Sequence, residues 1–136
     1  MKRNPFEKYL GKEDLLQRAV IDYCQMQYNI TPICMGTEGK KSPFEQFKFK
    51  WMGGRKGVSD LFFPVSNLQF SGMFIELKRE GAKIFKKDGT LYASNKDHHQ
   101  RQLDFIYEMN EASYFSHLCI GFDETKKVID YYMNLK

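Results

Sequence analysis

Cysteine is scarce in this chain, and its spacing has no pattern. Cys24, Cys34 and Cys119 form no C-x-x-C pair. That argues against zinc ligands and a disulfide framework, and because each lies in an apolar stretch the three read as buried, reduced thiols. Long apolar runs are also missing. No segment approaches the roughly 20 residues that cross a bilayer, and Met1-Lys-Arg-Asn-Pro-Phe lacks the apolar centre of a signal peptide. The expectation is a soluble cytoplasmic protein with no membrane partner. Repeats and low-complexity tracts are absent, as is a large excess of either charge. The 21 Lys and Arg oppose 17 Asp and Glu, giving a net charge of +4, too small to identify a nucleic-acid binder by itself. With 42% hydrophobic residues in 136, there is enough apolar material for one modest core, so residues 1–136 are read as a single domain.

Periodicity supplies the elements. Leu15, Leu16, Ala19, Val20, Tyr23 and Cys24 recur at helical spacing from Lys12 to about Gln27, with Glu13 and Asp14 in a first turn that favours negative charge. A β-branched stretch predicts a strand over 29–35, and a short helix follows from Pro43. Strands are expected at Val58–Val65 and Met73–Arg79. Asp88-Gly89 suits a type I′ hairpin over 83–93. Ser94 or Asn95 would cap a helix to about Glu111; a strand over 114–122 and a terminal helix from Asp123 complete the order. Such an alternation implies an α/β fold, a small mixed sheet flanked by helices.

Two of these strands carry chemistry. Lys56-Gly-Val-Ser-Asp60-Leu-Phe-Phe ends one apolar stretch, and Gly72-Met-Phe-Ile-Glu76-Leu-Lys78-Arg carries the next. Alternation in an extended strand puts Glu76 and Lys78 on one face and Ile75 and Leu77 on the other. A neighbouring strand ending at Asp60 would place a second carboxylate beside Glu76. Paired carboxylates repel unless a cation lies between them, and hard oxygen donors suit Mg²⁺.

As a set, Gly57-Val-Ser-Asp60-Leu-Phe-Phe-Pro and Met73-Phe-Ile-Glu76-Leu-Lys78-Arg resemble the VRR-NUC branch of the PD-(D/E)xK nucleases. Glu13 and Gln17 reproduce that branch's E-x-x-x-Q helix, and the resemblance runs from about Lys12 to about Asn134. Ser59 stands where the family often has proline. The resemblance implies a restriction-endonuclease-like core and metal-dependent hydrolysis of DNA. Asp60, Glu76 and the Leu77 carbonyl would hold Mg²⁺ (Mn²⁺ substituting), with Glu13 in support, Lys78 and a helix glutamine assisting catalysis, and Gln17 bonding a neighbouring group. The glutamine is Gln102 or Gln100; Phe105, Ile106 and Met109 at the following apolar positions favour Gln102. Family proteins of this size resemble phage and bacterial enzymes acting on branched DNA, including four-way junctions, so a homodimer in the host cytoplasm is implied.

Basic residues near Asp60 extend the reading to substrate. Lys40, Lys41, Arg55 and Lys56 are the candidates for contacting phosphate, since Arg and Lys neutralise it in a salt-dependent way. Phe44, Phe47, Phe49 and Trp51 read either as core or as part of a dimer interface. Adjacent helical positions diverge by about 100°, so His98 and His99 cannot converge on one ion and are expected to face solvent or DNA. His117, in an apolar strand, reads as a satisfied structural histidine.

Overall fold

The computed structural model describes residues 4–36 and 41–135. A 3-10 turn at Glu7–Tyr9 precedes α1 (Lys12–Tyr28), β1 (Ile33–Cys34), α2 (Pro43–Trp51), β2 (Leu61–Phe63), β3 (Met73–Lys78), α3 (Lys96–Glu111), β4 (Phe115–Ile120) and α4 (Phe122–Met133). The strands make one sheet in the order β1-β2-β3-β4. The pairs β1–β2 and β2–β3 are antiparallel, whereas β3–β4 is parallel, a pairing that needs the crossover α3 provides. The expected α/β class, a mixed sheet between helices, is the observed one.

Alternation along β3 sorts the core into two layers. Met73 and Ile75, with Leu61, Phe63 and Cys119, pack against Val20 and Cys24 of α1 and Ile129 and Tyr132 of α4. Phe74 and Glu76 take the opposite face, where the Phe74 ring meets Phe105 of α3 edge-on at 5.2 Å. Leu118 joins Leu103 and Ile106 of α3 there, closed over by Ile84 and Leu91. Each fully buried apolar side chain contributes about 1.5–3 kcal/mol. Helices on both faces explain why β3 is an apolar run broken only near its end.

A polar clasp joins α1 to α4. Asp130 accepts hydrogen bonds from the hydroxyls of Tyr23 and Tyr28 and pairs with Lys126 at 2.9 Å. Desolvation pushes the Asp130 pKa up, but these three donors together hold it below the usual carboxylate value.

Several local expectations are corrected. β1 is only two residues long because Pro32 has no N–H to pair. β2 spans only Leu61–Phe63 instead of Val58–Val65, and it stops before Pro64, which has no N–H to give to a ladder. The segment 83–93 forms one isolated bridge, Phe85 to Leu91, and not a two-stranded hairpin. Its turn is not type I′: Gly89 alone has positive φ, the Gly89 amide donates to the Lys86 carbonyl at 3.0 Å, and Lys86 donates to Thr90 at 2.7 Å. That is a type I turn followed by a left-handed glycine. Asn95 stands at the N-cap of α3 but adopts φ 56° and makes no capping bond with its side chain. β4 spans only Phe115–Ile120, and α4 begins at Phe122, one residue before Asp123. Cys34, expected to be buried, is exposed; Cys24 and Cys119 are buried, and all three are free thiols. His117 is exposed, not enclosed, stacked 6.3 Å from the Phe115 ring. Phe44, Phe47 and Trp51 are exposed and form no part of the core.

Candidate active site

The site is built at the end of β3. Leu61 lies opposite Ile75 in the β2–β3 ladder, so the next residue outward from each is Asp60 on one side and Glu76 on the other. There the backbone ladder gives way to a side chain: the Asp60 carboxylate accepts the Leu77 N–H at 2.7 Å. Meanwhile the Asp60 carbonyl accepts from Met35 at 2.8 Å, tying the residue to β1 as well. Asp60 is thus fixed at both its backbone and its carboxylate.

Glu76 is 1% exposed and faces α3. A carboxylate buried this deeply needs donors, and Gln102 provides one through Nε2 to Oε1 at 2.7 Å. Lys78, on the same strand face as alternation requires, has its Nζ 3.6 Å from the same Oε1. Gln100 lies on a different part of α3, exposed and bonded to Asp104 at 2.9 Å.

Around these residues lies a polar cleft of about 150 Å³, bordered by the N-terminal turns of α1 and α3. Glu13 and Gln17 line it from α1, one helical turn apart. Gln17 donates to the Cys34 thiol at 3.3 Å. Asp14 borders the same cleft. Its carboxylate accepts the Gly11 N–H at 2.9 Å, which caps α1.

The adjacent histidines part ways: His98 is exposed, as expected, and His99 is not. His98 lines the cleft, with Nε2 3.2 Å from Gln102 Nε2. The same amide nitrogen donates to Glu76, so one Gln102 side chain touches both the buried carboxylate and the His98 ring. The signal for this was present in the sequence as the i, i+4 spacing of His98 and Gln102. His99 points inward and is buried, not solvent-facing. Desolvation, with the charges of Lys78 and His98 behind it, holds its pKa below the ordinary histidine value.

The donor set suits a hard cation. Asp60 and Glu76 present carboxylate oxygens to one cleft, with Glu13 on its rim. Among the described residues no three His, Cys, Asp or Glu side chains stand together as a metal cage. A pair of carboxylates in an open polar cleft fits Mg²⁺, which keeps waters and shares its coordination with substrate phosphate.

Of the residues expected to contact phosphate, Lys41, Arg55 and Lys56 line a separate groove between α2 and α3, and Lys40 lies outside the described residues. Arg55 pairs with Glu108 at 2.7 Å and stands 5.3 Å over the Phe105 ring, fastening the segment before Asp60 to α3. Among the described residues no helix is long and apolar enough to cross a membrane.

With this geometry in hand, comparison with known proteins is informative at the level of architecture. No protein-family model matches the chain, and neither does any curated protein. A solved structure described as a VRR_NUC domain protein aligns with 93% of this chain and 91% of its own, with a TM-score of 0.64 and 23% identity. The two share one α/β fold.

Proposed function

We propose that this chain is a VRR-NUC nuclease: a divalent-metal-dependent, structure-selective DNA endonuclease that cuts branched DNA, four-way junctions foremost, as a homodimer. The observation that carries the reading is the convergence of Asp60, Glu76 and Lys78 on one polar cleft, with the buried Glu76 carboxylate held by Gln102. Asp60, Glu76 and the Leu77 carbonyl would hold Mg²⁺ or Mn²⁺, with Glu13 supporting from the rim. When bound, such an ion supplies positive charge against a phosphoryl oxygen and acidifies coordinated water. Gln102 keeps the Glu76 carboxylate oriented, and His98 in turn orients the amide. Lys78 lies beside Glu76 with only modest exposure, where its ammonium counters charge that develops on the phosphate. Two-fold pairing of chains would bring two such clefts to one junction.

The test is cleavage of labelled four-way junction, flap, single-stranded and linear duplex DNA in Mg²⁺, Mn²⁺ or EDTA, with Glu76→Ala as control. Paired junction cuts that disappear in EDTA and in Glu76→Ala support the full reading. Cutting confined to flaps, nicks or ends keeps the site and replaces the substrate. Undiminished activity of folded Glu76→Ala protein would refute the catalytic assignment, and binding without cleavage under either ion would leave a non-catalytic DNA-binding module.

A further inference from the structure

The groove between α2 and α3 has no part in that chemistry. It encloses about 740 Å³, and its walls come from α2, the 54–56 segment and the outer side of α3. Among the described residues lining it, Lys41, Lys50, Arg55, Lys56 and Arg101 carry positive charge, and Asp104 is the acidic member. Phe47 and Phe49 line it as well. Phe47 is 64% exposed, so most of its ring is open to a partner. The Phe49 ring is covered by the Lys41 ammonium, 3.5 Å from its centroid.

From this combination we infer that the groove is a binding subsite for an unpaired DNA strand, with Phe47 stacking a base and the surrounding cations holding the backbone. The inference rests on the nuclease reading above and extends it to a second site. Aromatic faces set among Lys and Arg bind single strands because every base has a face to stack and every nucleotide a charge to neutralise. Duplex DNA offers no such faces, since its bases are already stacked. Charge also argues against a second copy of the chain as the occupant. An isologous contact would set the same five cations against themselves, and like charges across an interface are unfavourable.

Position connects the groove to the cleft. α3 presents Arg101 and Asp104 to the groove and His98 to the cleft, with Gln102 buried behind it on Glu76. The chain passes from Lys56 at the groove to Asp60 at the cleft in four residues, with Gly57 against the Arg101 backbone. A strand leaving a branch point could therefore lie in the groove while the adjoining duplex meets the carboxylates.

The experiment is fluorescence anisotropy in EDTA, which removes cleavage from the measurement. Labelled oligothymidylate and a duplex of equal length are titrated with wild type, Phe47→Ala, Phe47→Trp and Lys50→Glu. Phe47→Ala should weaken single-strand binding about 5- to 100-fold, as expected for one stacked base, and leave duplex binding within about twofold. Phe47→Trp should restore it, and Lys50→Glu should weaken binding more at low salt than at high salt. Unchanged single-strand affinity in Phe47→Ala, or equal loss on both DNAs, overturns the proposal. A dimer that dissociates in Phe47→Ala by sedimentation, with DNA affinity unchanged, assigns the surface to a second copy instead. Selective strand binding by a protein that cuts nothing would leave the subsite standing and remove the nuclease reading alone.

Discussion

Gln102 Nε2 lies 2.7 Å from Glu76 Oε1, in a sheet–helix interface where neither side chain is more than 2% exposed. This bond fixes which way the carboxylate faces the cleft. Loss of a partner that orients a metal-binding carboxylate costs about 10- to 100-fold in metal affinity or activity. Gln102→Ala should therefore raise the Mg²⁺ concentration needed for half-maximal cleavage by about that factor. Gln102→Glu should be worse, since it sets a second carboxylate against Glu76 in a dry interface. An unchanged Mg²⁺ titration in Gln102→Ala would show the bond to be structural only.

Gly57 combines φ +89° with close contact: a Cβ there would stand 2.7 Å from the Arg101 carbonyl. Left-handed backbone alone costs a non-glycine residue roughly 1–2 kcal/mol. Gly57→Ala is expected to lose at least that much, read as a fall of about 3–8 °C in Tm. Displacement of the Gly57–Asp60 segment should lower cleavage as well. A variant with wild-type Tm would mean that the segment relaxes away from α3 freely.

Acid should weaken the clasp between α1 and α4. The folded-state pKa of Asp130 is depressed, so the unfolded chain binds its proton more tightly. Its contribution is complete above the ordinary carboxylate value of 3.8 and is lost as pH falls through the lower folded value. Asp130→Asn should cost about 1–2 kcal/mol at neutral pH, discounted for partial exposure, and progressively less below about pH 4. Urea unfolding of both proteins at several pH values checks this. A gap that persists undiminished at the lowest pH contradicts it.

The three thiols should separate by reactivity. Burial, with Asp130 nearby, pushes the Cys24 pKa up to about 11; burial, with Glu124 nearby, pushes Cys119 up to about 12. The reactive species is the thiolate, so both should resist alkylation in the folded protein. Cys34 is exposed, and iodoacetamide at mildly alkaline pH should label it alone. Peptide mapping reads the result, and labelling of Cys24 or Cys119 before unfolding would contradict the packing described.

The carboxylate pair was legible in the sequence because strand periodicity is local. Glu76 and Lys78 share a face wherever Met73–Lys78 is extended, and an apolar run after Asp60 announces the neighbouring strand. Cys34 misled for the opposite reason: an apolar neighbourhood in sequence does not show that β1 is a sheet edge. His99 misled because its burial depends on how α3 lies against the sheet.

By itself, then, the sequence determined the α/β class, the order of the four main helices and the four strands, and the face on which Glu76 and Lys78 lie. These follow from backbone periods of 3.6 and 2, which act over a few residues. Apolar spacing on α3 already favoured Gln102 over Gln100, but tertiary structure alone decided that Gln102 reaches Glu76, that Asp60 bonds the Leu77 amide and that His99 turns inward. It also decided that the aromatics of α2 stay outside the core. Each of these depends on the register and rotation with which distant segments pack, and no local period encodes that.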